Sequence, residues 1–468
     1  MKLVLLSGGS GKRLWPLSND ARSKQFLKLL KNKEGNLESM VQRVWGQLSA
    51  VDLSEASVIA TSKSQVDMIQ SQIGHDVPLV IEPVRRDTFP AIALAATYLH
   101  TVKKVNREEA VAILPVDPYV EDRFFQRVKE LEKVLLDSGA DLALMGVTPT
   151  YPSEKYGYII PQVIATHHDY LTVDSFKEKP SEDIAKELIT KKALWNCGVF
   201  AFKLGFILSL LENRGLPTEY DKLLSVYHEL PKISFDYEVV EKANHIVALP
   251  YDGYWKDLGT WNTLTEEVEQ RLIGKGMVSN DCENTHVINE LDIPVTVLGL
   301  SNVVVAVSPD GILLSDKAAS PRIKDMVKDF DQRPMFEERR WGWYRVLDHT
   351  KVADGTEVLT KRIGVASGKN LSYQLHYKRS EVWTIISGIG EFALNDKIFT
   401  VKAGDVLQIP VGSKHGIKAI TDIEFIEVQT GTDLVEEDIV RIFMTWEEVE
   451  EHCQTVSSSL QEIAATKE

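Results

Sequence analysis

The sequence predicts an α/β domain with a mixed, largely parallel sheet, then a short β connector, then a C-terminal all-β domain. Three observations carry this. Up to about residue 265 short apolar runs (KLVLL at 2–6, ASVIA at 56–60, VPLVIEP at 77–83, AVAILPVD at 110–117, ADLALMGV at 140–147) alternate with amphipathic stretches such as 90–105 and 123–138. Strands buried on both faces read as continuous apolar runs, so this part should be a parallel-type sheet covered by helices. From about 277 to 316 the pattern changes to short β runs, PVTVLGL and NVVVAVSPDGILLS, with few helical signals. The polar stretch 324–340 reads as a helix and linker, and beyond it EVLTKRIGVA, EVWTIIS, EFALN, DVLQIP and IEFIEVQ recur between turn residues. Closely spaced runs of that kind suggest a sandwich or barrel. The expected divisions are 1–265, 266–335, 336–455 and a polar tail at 456–468, with a helix over EEDIVRIFM (436–444) near the end.

Length and composition narrow the classes. At 468 residues the chain is too long for one ordinary core, and 44% hydrophobic with 26% charged residues supplies enough apolar material to fold most of it. A net charge of −15 argues against a surface built for nucleic acid or anionic lipid, so an anionic ligand must meet a local basic cluster. No apolar stretch approaches the roughly 20 residues of a membrane span, and the first strand lacks the features of a secretory signal, so a cytoplasmic location is expected. Cys197, Cys282 and Cys453 are too few and too scattered for a disulfide framework and read as reduced structural thiols.

The most informative stretch is LSGGSGKRLWPLS at 5–17. Counting excludes two nucleotide loops. A P-loop needs Gly where Leu6 stands and Ser or Thr where Arg13 stands, and a dinucleotide fingerprint needs a third Gly where Leu14 stands. What remains is a run of glycines whose backbone N–H groups can approach phosphate oxygens, flanked by Lys12 and Arg13.

Joined to Pro16, Lys24 and Phe26, and followed in order by EPVRRDTFPAIALAA (82–96), ILPVDPYV (113–120), YGYI (156–159), FKEKP (176–180), WNCGVFAF (195–202), DYEVVEK (236–242) and GYWKDLGTW (253–261), this loop resembles the sugar-1-phosphate nucleotidyltransferases. Within them it is most similar to the bacterial mannose-1-phosphate guanylyltransferases that carry a mannose-6-phosphate isomerase-like tail. The resemblance implies a Rossmann-like nucleotidyltransferase domain and transfer of guanylyl from GTP to mannose 1-phosphate, giving GDP-mannose and pyrophosphate. It places Gly8, Gly9, Gly11, Lys12, Glu82 and Arg86 at the nucleotide, with Arg13 and Lys24 as catalytic cations at the triphosphate. Asp117 and Asp257 match the carboxylates that hold Mg2+; Asp117, Gly157, Glu178, Lys179 and Asn196 match positions facing the substrate. The chain departs from the family at Val84-Arg85-Arg86-Asp87-Thr88 and at Lys256, where Asn is common.

The tail resembles the cupin fold, in GKNLSYQLHYKRSEVWTIISG from Gly368 and GDVLQIPVGSKHG from Gly404. Gln374 and His376 alternate on one strand face, Glu381 follows, and His415 comes from the second motif, so four ligands could converge inside a small barrel. The set suits Zn2+ or a similar divalent ion and matches the ligands of phosphomannose isomerases. Gly416 stands where that family commonly has Arg, and Tyr377, Lys378 and Val382 replace neighbouring histidines, so weak or absent isomerase activity is expected.

The alternatives are a nucleotidyltransferase for another sugar or base, a metal-dependent mannose-6-phosphate isomerase with a nucleotide-sensing first domain, and a non-catalytic sugar-binding regulator. Exposed β edges make a homo-oligomer, in the simplest case a dimer, the expected assembly.

Overall fold

The strand Lys2–Ser7 lies near the middle of a nine-stranded sheet, paired in parallel with Ser57–Ser62 on one side and Ala110–Pro115 on the other. The structure is a computed structural model and describes residues 1–9, 11–162, 169–330, 332–435 and 438–456. Leu79–Glu82 extends the parallel set at one edge. Leu194–Lys203 then runs antiparallel between Ala110–Pro115 and Leu142–Val147, and Ile246–Tyr251 pairs in parallel with Leu142–Val147. Leu171–Lys177 and Tyr158–Pro161 close the far edge with antiparallel pairing. The sheet is therefore mixed and largely parallel, as the apolar runs predict.

Helices cover both faces. Arg123–Ser138 and Met40–Ala50 pack on one side, and Thr88–Thr101 and Leu204–Asn213 on the other. Thr88–Thr101 is buried on almost every side, from Phe89 to Thr97 without a break, because a second helical layer lies outside it.

The connector is a four-stranded sheet of Leu272–Ile273, His286–Asn289, Val303–Ser308 and Gly311–Asp316, with a two-stranded companion of Gly276–Val278 and Val295–Val297. Its first three strands run in parallel as short rungs. Its apolar side is covered by the loop that follows the first strand of the chain: Leu14 and Leu17 share one core with Leu258, Trp261, Ile288, Val304, Ile323 and Val327.

The C-terminal region consists of two six-stranded sheets facing each other across a core of Tyr344, Leu359, Trp383, Phe392, Val401, Ile417 and Phe425. Its first strand, Phe336–Arg339, lies against the helix Val66–Ile73: Ser71 donates to Glu338 at 2.6 Å and Arg339 pairs with Asp67 at 3.3 Å.

Two expectations are corrected. The segment 436–444 is not a helix: Glu436 and Glu437 lie outside the described residues, and Val440–Phe443 is a strand paired with Tyr373–Leu375. Its apolar residues suit helical spacing locally, but an open sheet edge offers them backbone partners that an isolated helix of this length would lack. The terminal helix comes one step later, at Trp446–His452, where the Thr445 hydroxyl accepts from Glu448 N and the Glu448 carboxylate accepts from Thr445 N. In the polar stretch 324–340 only one short turn, Ile323–Met326, is helical among the described residues. The tail at 457–468 lies outside the described residues.

The shared core of loop and connector predicts that Leu17, which is 1% exposed, carries structure well beyond its own loop. Leu17→Ala is expected to lower unfolding free energy by about 2–5 kcal/mol in a denaturant titration, the cost of truncating a fully packed leucine.

Candidate active site

An open cavity of about 520 Å³ lies at the carboxyl ends of the parallel strands. Lys2–Ser7 delivers Gly8, Gly9, Gly11 and Arg13 to it, Ala110–Pro115 delivers Asp117, Leu194–Lys203 carries Asn196, and the short strand Trp255–Asp257 ends on Asp257. Such strand ends are where a sheet of this type leaves a crevice for ligands.

The loop follows from its residues. Gly9 has φ of +114°, a region that side chains disfavour, so the chain can leave the strand and turn back. Gly11–Leu14 then forms one tight helical turn, with Leu14 buried in the connector core and Leu14 N donating to the Ser18 hydroxyl at 3.1 Å. Anchoring Leu14 leaves its neighbour Arg13 facing the cavity.

Asp117 and Asp257 are 140 positions apart. They meet because Pro118–Val120 pairs antiparallel with Trp255–Asp257, in a register that sets Asp257 opposite Pro118. Lys24 stands between them, its Nζ 2.8 Å from Asp117 Oδ2 and 2.8 Å from Asp257 Oδ1. Burial disfavours the Lys24 charge, but the two carboxylates outweigh it and hold the ammonium well above its ordinary range. Asp257 is likewise buried, which favours its neutral form, yet Lys24 and then Arg13 hold it below the usual carboxylate range. Two carboxylate oxygens converging on one cation position are a donor set that a hard divalent ion accepts.

A further part of the cavity wall carries Lys179 and Asn196. Glu178 is buried beneath Lys179, whose Nζ donates to Oε1 at 2.5 Å, while Glu178 Oε2 is buried with no hydrogen-bond partner among the described residues. A Cβ on Gly157 would collide with that oxygen and with the Phe176 ring. Asn196 donates to Asp236 at 2.7 Å and accepts from Gly198 N at 3.1 Å. Asp236 is pushed up to about 6, by burial first and by the nearby Glu178 second. Tyr156, Trp195 and Trp255 form an aromatic cluster beside this wall, with ring centroids 5.0 Å apart for Tyr156–Trp195 and 5.3 Å for Tyr156–Trp255.

Three residues expected at the nucleotide are turned elsewhere. Lys12 donates to the carbonyl oxygens of Lys328 at 3.1 Å and Phe330 at 2.9 Å. Glu82 accepts from the Tyr227 hydroxyl at 2.6 Å, and Arg86 donates to Leu230 O at 2.7 Å, so both tie the sheet to the outer helical layer. Conversely, Ser23, Gln25, Thr88, Tyr156, Trp255 and Lys324 line the cavity without having been singled out. Tyr156, Trp255 and Thr88 lie inside motifs quoted above, so a signal existed; Lys324 lies in a polar linker with none.

In the cupin, the donor atoms of His376, Glu381 and His415 lie within 4.8 Å of one another. Gln374 Nε2 is 3.4 Å from His376 Nε2, and buried His415 Nε2, 3.4 Å from Glu381 Oε2, has no hydrogen-bond partner among the described residues. The donors fit a divalent metal, but a cation already stands among them: Arg379, only 5% exposed, donates through Nε to Glu381 Oε1 at 2.9 Å and has Nη2 3.2 Å from His376 Nε2. Behind it Gln429 bridges Glu381 and Glu427. Glu427 is pushed up to about 7 by burial and by Glu381. A second cavity, of about 450 Å³, lies between this cluster and Lys63 and Asp67 of the first region.

Two predictions follow from these charges. Asp236 is protonated more readily folded than unfolded, where its pKa would be about 3.9, so its contribution to stability is present below pH 4 and lost as pH rises through about 6. Asp236→Asn is expected to remove that loss, worth about 2–3 kcal/mol, from the stability difference between pH 4 and pH 8. Arg379→Met removes the guanidinium from buried Glu381, leaving it only neutral donors and the two histidines, and is expected to cost about 3–5 kcal/mol; added Zn2+ should then restore part of the lost Tm, which calorimetric scans would show.

A family model for nucleotidyl transferases matches residues 2–272, and one described as mannose-6-phosphate isomerase C-terminal matches 331–443. The chain is 30% identical to the alginate biosynthesis protein AlgA of Pseudomonas aeruginosa, over 99% of both chains. It is 29% identical to the mannose-1-phosphate guanylyltransferase RfbM of Salmonella typhimurium, over 94% of this chain and 96% of that one. A crystal structure from Thermus thermophilus described as a mannose-1-phosphate geranyltransferase aligns with a TM-score of 0.60 at 29% identity, covering 71% of this chain and 99% of the other. Among the described residues no helix is long and apolar enough to cross a membrane. With the family model covering more than half of the sequence, and the glycine loop, the paired aspartates and the cupin all in place, this chain belongs to the nucleotidyl transferase family, as an enzyme with a cupin-type C-terminal domain.

Proposed function

We propose that this protein transfers guanylyl from GTP to mannose 1-phosphate, giving GDP-mannose and pyrophosphate. The observation that carries this reading is the convergence of Asp117, Asp257 and Lys24, beside Arg13, in one cavity also lined by Lys179, which covers Glu178, and by Asn196. The full-length similarity to a mannose-1-phosphate guanylyltransferase supports the choice of substrates.

A phosphate oxygen of the sugar phosphate attacks the α-phosphorus of the triphosphate, and the bond to the bridging oxygen breaks as pyrophosphate leaves. Both partners are anions, so the work is alignment and neutralisation, and no covalent nucleophile is needed. Asp117 and Asp257 would hold Mg2+, which when bound neutralises charge on the phosphate oxygens. Gly8, Gly9 and Gly11 line the side where backbone N–H groups reach the nucleotide phosphates. Arg13 and Lys24 supply positive charge to the α-phosphate and the leaving group. The unpartnered Glu178 Oε2 suits a sugar hydroxyl donor, with Lys179 above it for the acceptor phosphate.

The cupin has no isomerase role in this reading. A Cβ at Gly416 would lie 3.1 Å from the Ser372 carbonyl oxygen, so the backbone there would have to give by a few tenths of an ångström to admit the family's usual arginine. Zn2+ or another divalent ion at His376, Glu381, His415 and Gln374 belongs to the reading as a structural group. So do a cytoplasmic location and a homodimer. The dimer is supported by exposed Met277, Ile293, Leu298, Ile312 and Leu314 on the connector.

Pyrophosphate release measured with each nucleoside triphosphate and sugar 1-phosphate, with and without Mg2+, tests the assignment. Release with GTP, mannose 1-phosphate and Mg2+ is expected, and its absence overturns the reading. Lys24→Ala and Asp257→Asn are each expected to lower turnover by about 100- to 1,000-fold with an unchanged circular dichroism spectrum.

A further inference from the structure

One cation in the catalytic cavity comes from outside the region that the nucleotidyl transferase model covers. Lys324 lines the cavity together with Gly9, Gly11 and Arg13, yet it belongs to the short helix Ile323–Met326 beyond the connector sheet, past residue 272 where that model ends. Its placement is enforced by packing. Ile323 and Val327, each 5% exposed, are one helical turn apart and share the core of Leu14 and Leu17. With that face turned inward against the glycine loop, Lys324 is left on the cavity side. Lys12 holds the arrangement from the loop, its ammonium donating to the carbonyls of Lys328 and Phe330 just after the helix. The edge-to-face contact of Trp15 and Phe330, 5.6 Å between centroids, does the same.

In this structure each of the other cations in the cavity faces a carboxylate. Lys24 is shared by Asp117 and Asp257, Lys179 is paired with Glu178, and Arg13 acts on Asp257. The Lys324 ammonium makes no hydrogen bond or ion pair with any of the described residues, and its helix packs on the glycine loop through Ile323 and Val327. A nucleoside triphosphate brings about four negative charges to a cavity that already holds the carboxylates of Asp117 and Asp257, more than Arg13, Lys24 and a Mg2+ ion neutralise between them.

We propose that Lys324 is a phosphate-binding residue of the transferase site: its ammonium donates to the terminal phosphates of the nucleoside triphosphate that leave as pyrophosphate. Lys12, from the position where a phosphate ligand is expected, instead serves as the positioning residue that holds the segment bearing Lys324. The inference deepens the guanylyltransferase reading and rests on it for the identity of the substrates.

The test compares the full chain with Lys324→Ala and Lys324→Arg, forward with GTP and mannose 1-phosphate and in reverse with GDP-mannose and pyrophosphate. In Lys324→Ala the KM for GTP and for pyrophosphate should rise about ten- to hundredfold, the loss of one charge-assisted hydrogen bond. The KM for mannose 1-phosphate should stay within about twofold, and arginine should recover most of the loss. Unchanged KM values for GTP and pyrophosphate overturn the proposal; so does an equal rise in all three with a lowered Tm, which marks a structural lysine. Lys12→Ala should raise the same two constants and add nothing in the Lys324→Ala background, whereas additive effects remove Lys12 from the scheme. Calorimetric titration with the Mg2+ complexes of GTP, ATP and UTP separates this proposal from the choice of substrates. Weaker binding by Lys324→Ala of whichever nucleotide the unmodified chain binds supports Lys324 even if GTP is the wrong base, and equal binding by both proteins overturns it.

Discussion

The ammonium of Lys24 between Asp117 and Asp257 is the interaction on which the rest of the transferase site depends. The three half-buried charges offset one another: removing the cation leaves two facing carboxylates, and removing either carboxylate leaves the ammonium with one partner. Meeting that condition requires the strand Trp255–Asp257 to lie in one register against Pro118–Val120, since a one-residue slip would turn Asp257 to the other face. It also requires the loop after the first strand to return with Lys24 in place, which it does through Phe26, fully buried in the main core.

That loop is not self-supporting. Leu14 and Leu17 are buried against the connector, and beyond them a series of polar contacts links loop, connector and cupin: Asn19 donates to Asp310 at 2.8 Å, Met335 N donates to Asp310 at 2.6 Å, and Arg22 pairs with Glu290 at 2.8 Å. The connector is thus part of the nucleotide site rather than a spacer. The cupin reaches the same region through Glu338 and Arg339 on the helix Val66–Ile73. A disturbance in the linker has a short physical route to Arg13 through packed side chains.

The interior of the cupin shows how a binding constellation can persist while its electrostatics change. His376, Glu381 and His415 keep a metal-ligand arrangement, and Arg379 places a guanidinium against two of them. Burial and Arg379 both oppose a proton on His376, whose pKa is brought down to about 4 despite the neighbouring Glu381. Glu381 stays ionised although burial opposes it, because His415, His376 and Arg379 surround it. The site is a closed polar network in which a metal would have to compete with an internal cation.

Periodic and local features could be read from the residues alone. Continuous apolar runs located the strands of the first sheet, because a strand covered on both faces cannot carry polar residues. The glycine loop was legible as a possible phosphate cradle, and the aspartates in VDPY and WKDLG and the set of Gln374, His376, Glu381 and His415 through the resemblance to known families. Only the tertiary structure decided which basic residue faces which anion. Lys12 and Arg13 are adjacent and chemically alike on the page, yet anchoring of Leu14 turns one to the linker carbonyls and the other to the cavity. Glu82 and Arg86 sit in a motif that reads as a site but are taken up by Tyr227 and Leu230. Lys324 sits in a segment with no motif at all and is carried into the site by Ile323 and Val327. The strand at Val440–Phe443 was misread for the same reason. A helix or a loop is specified within a few residues, but an edge strand and a side chain's direction are set by partners that lie hundreds of residues away.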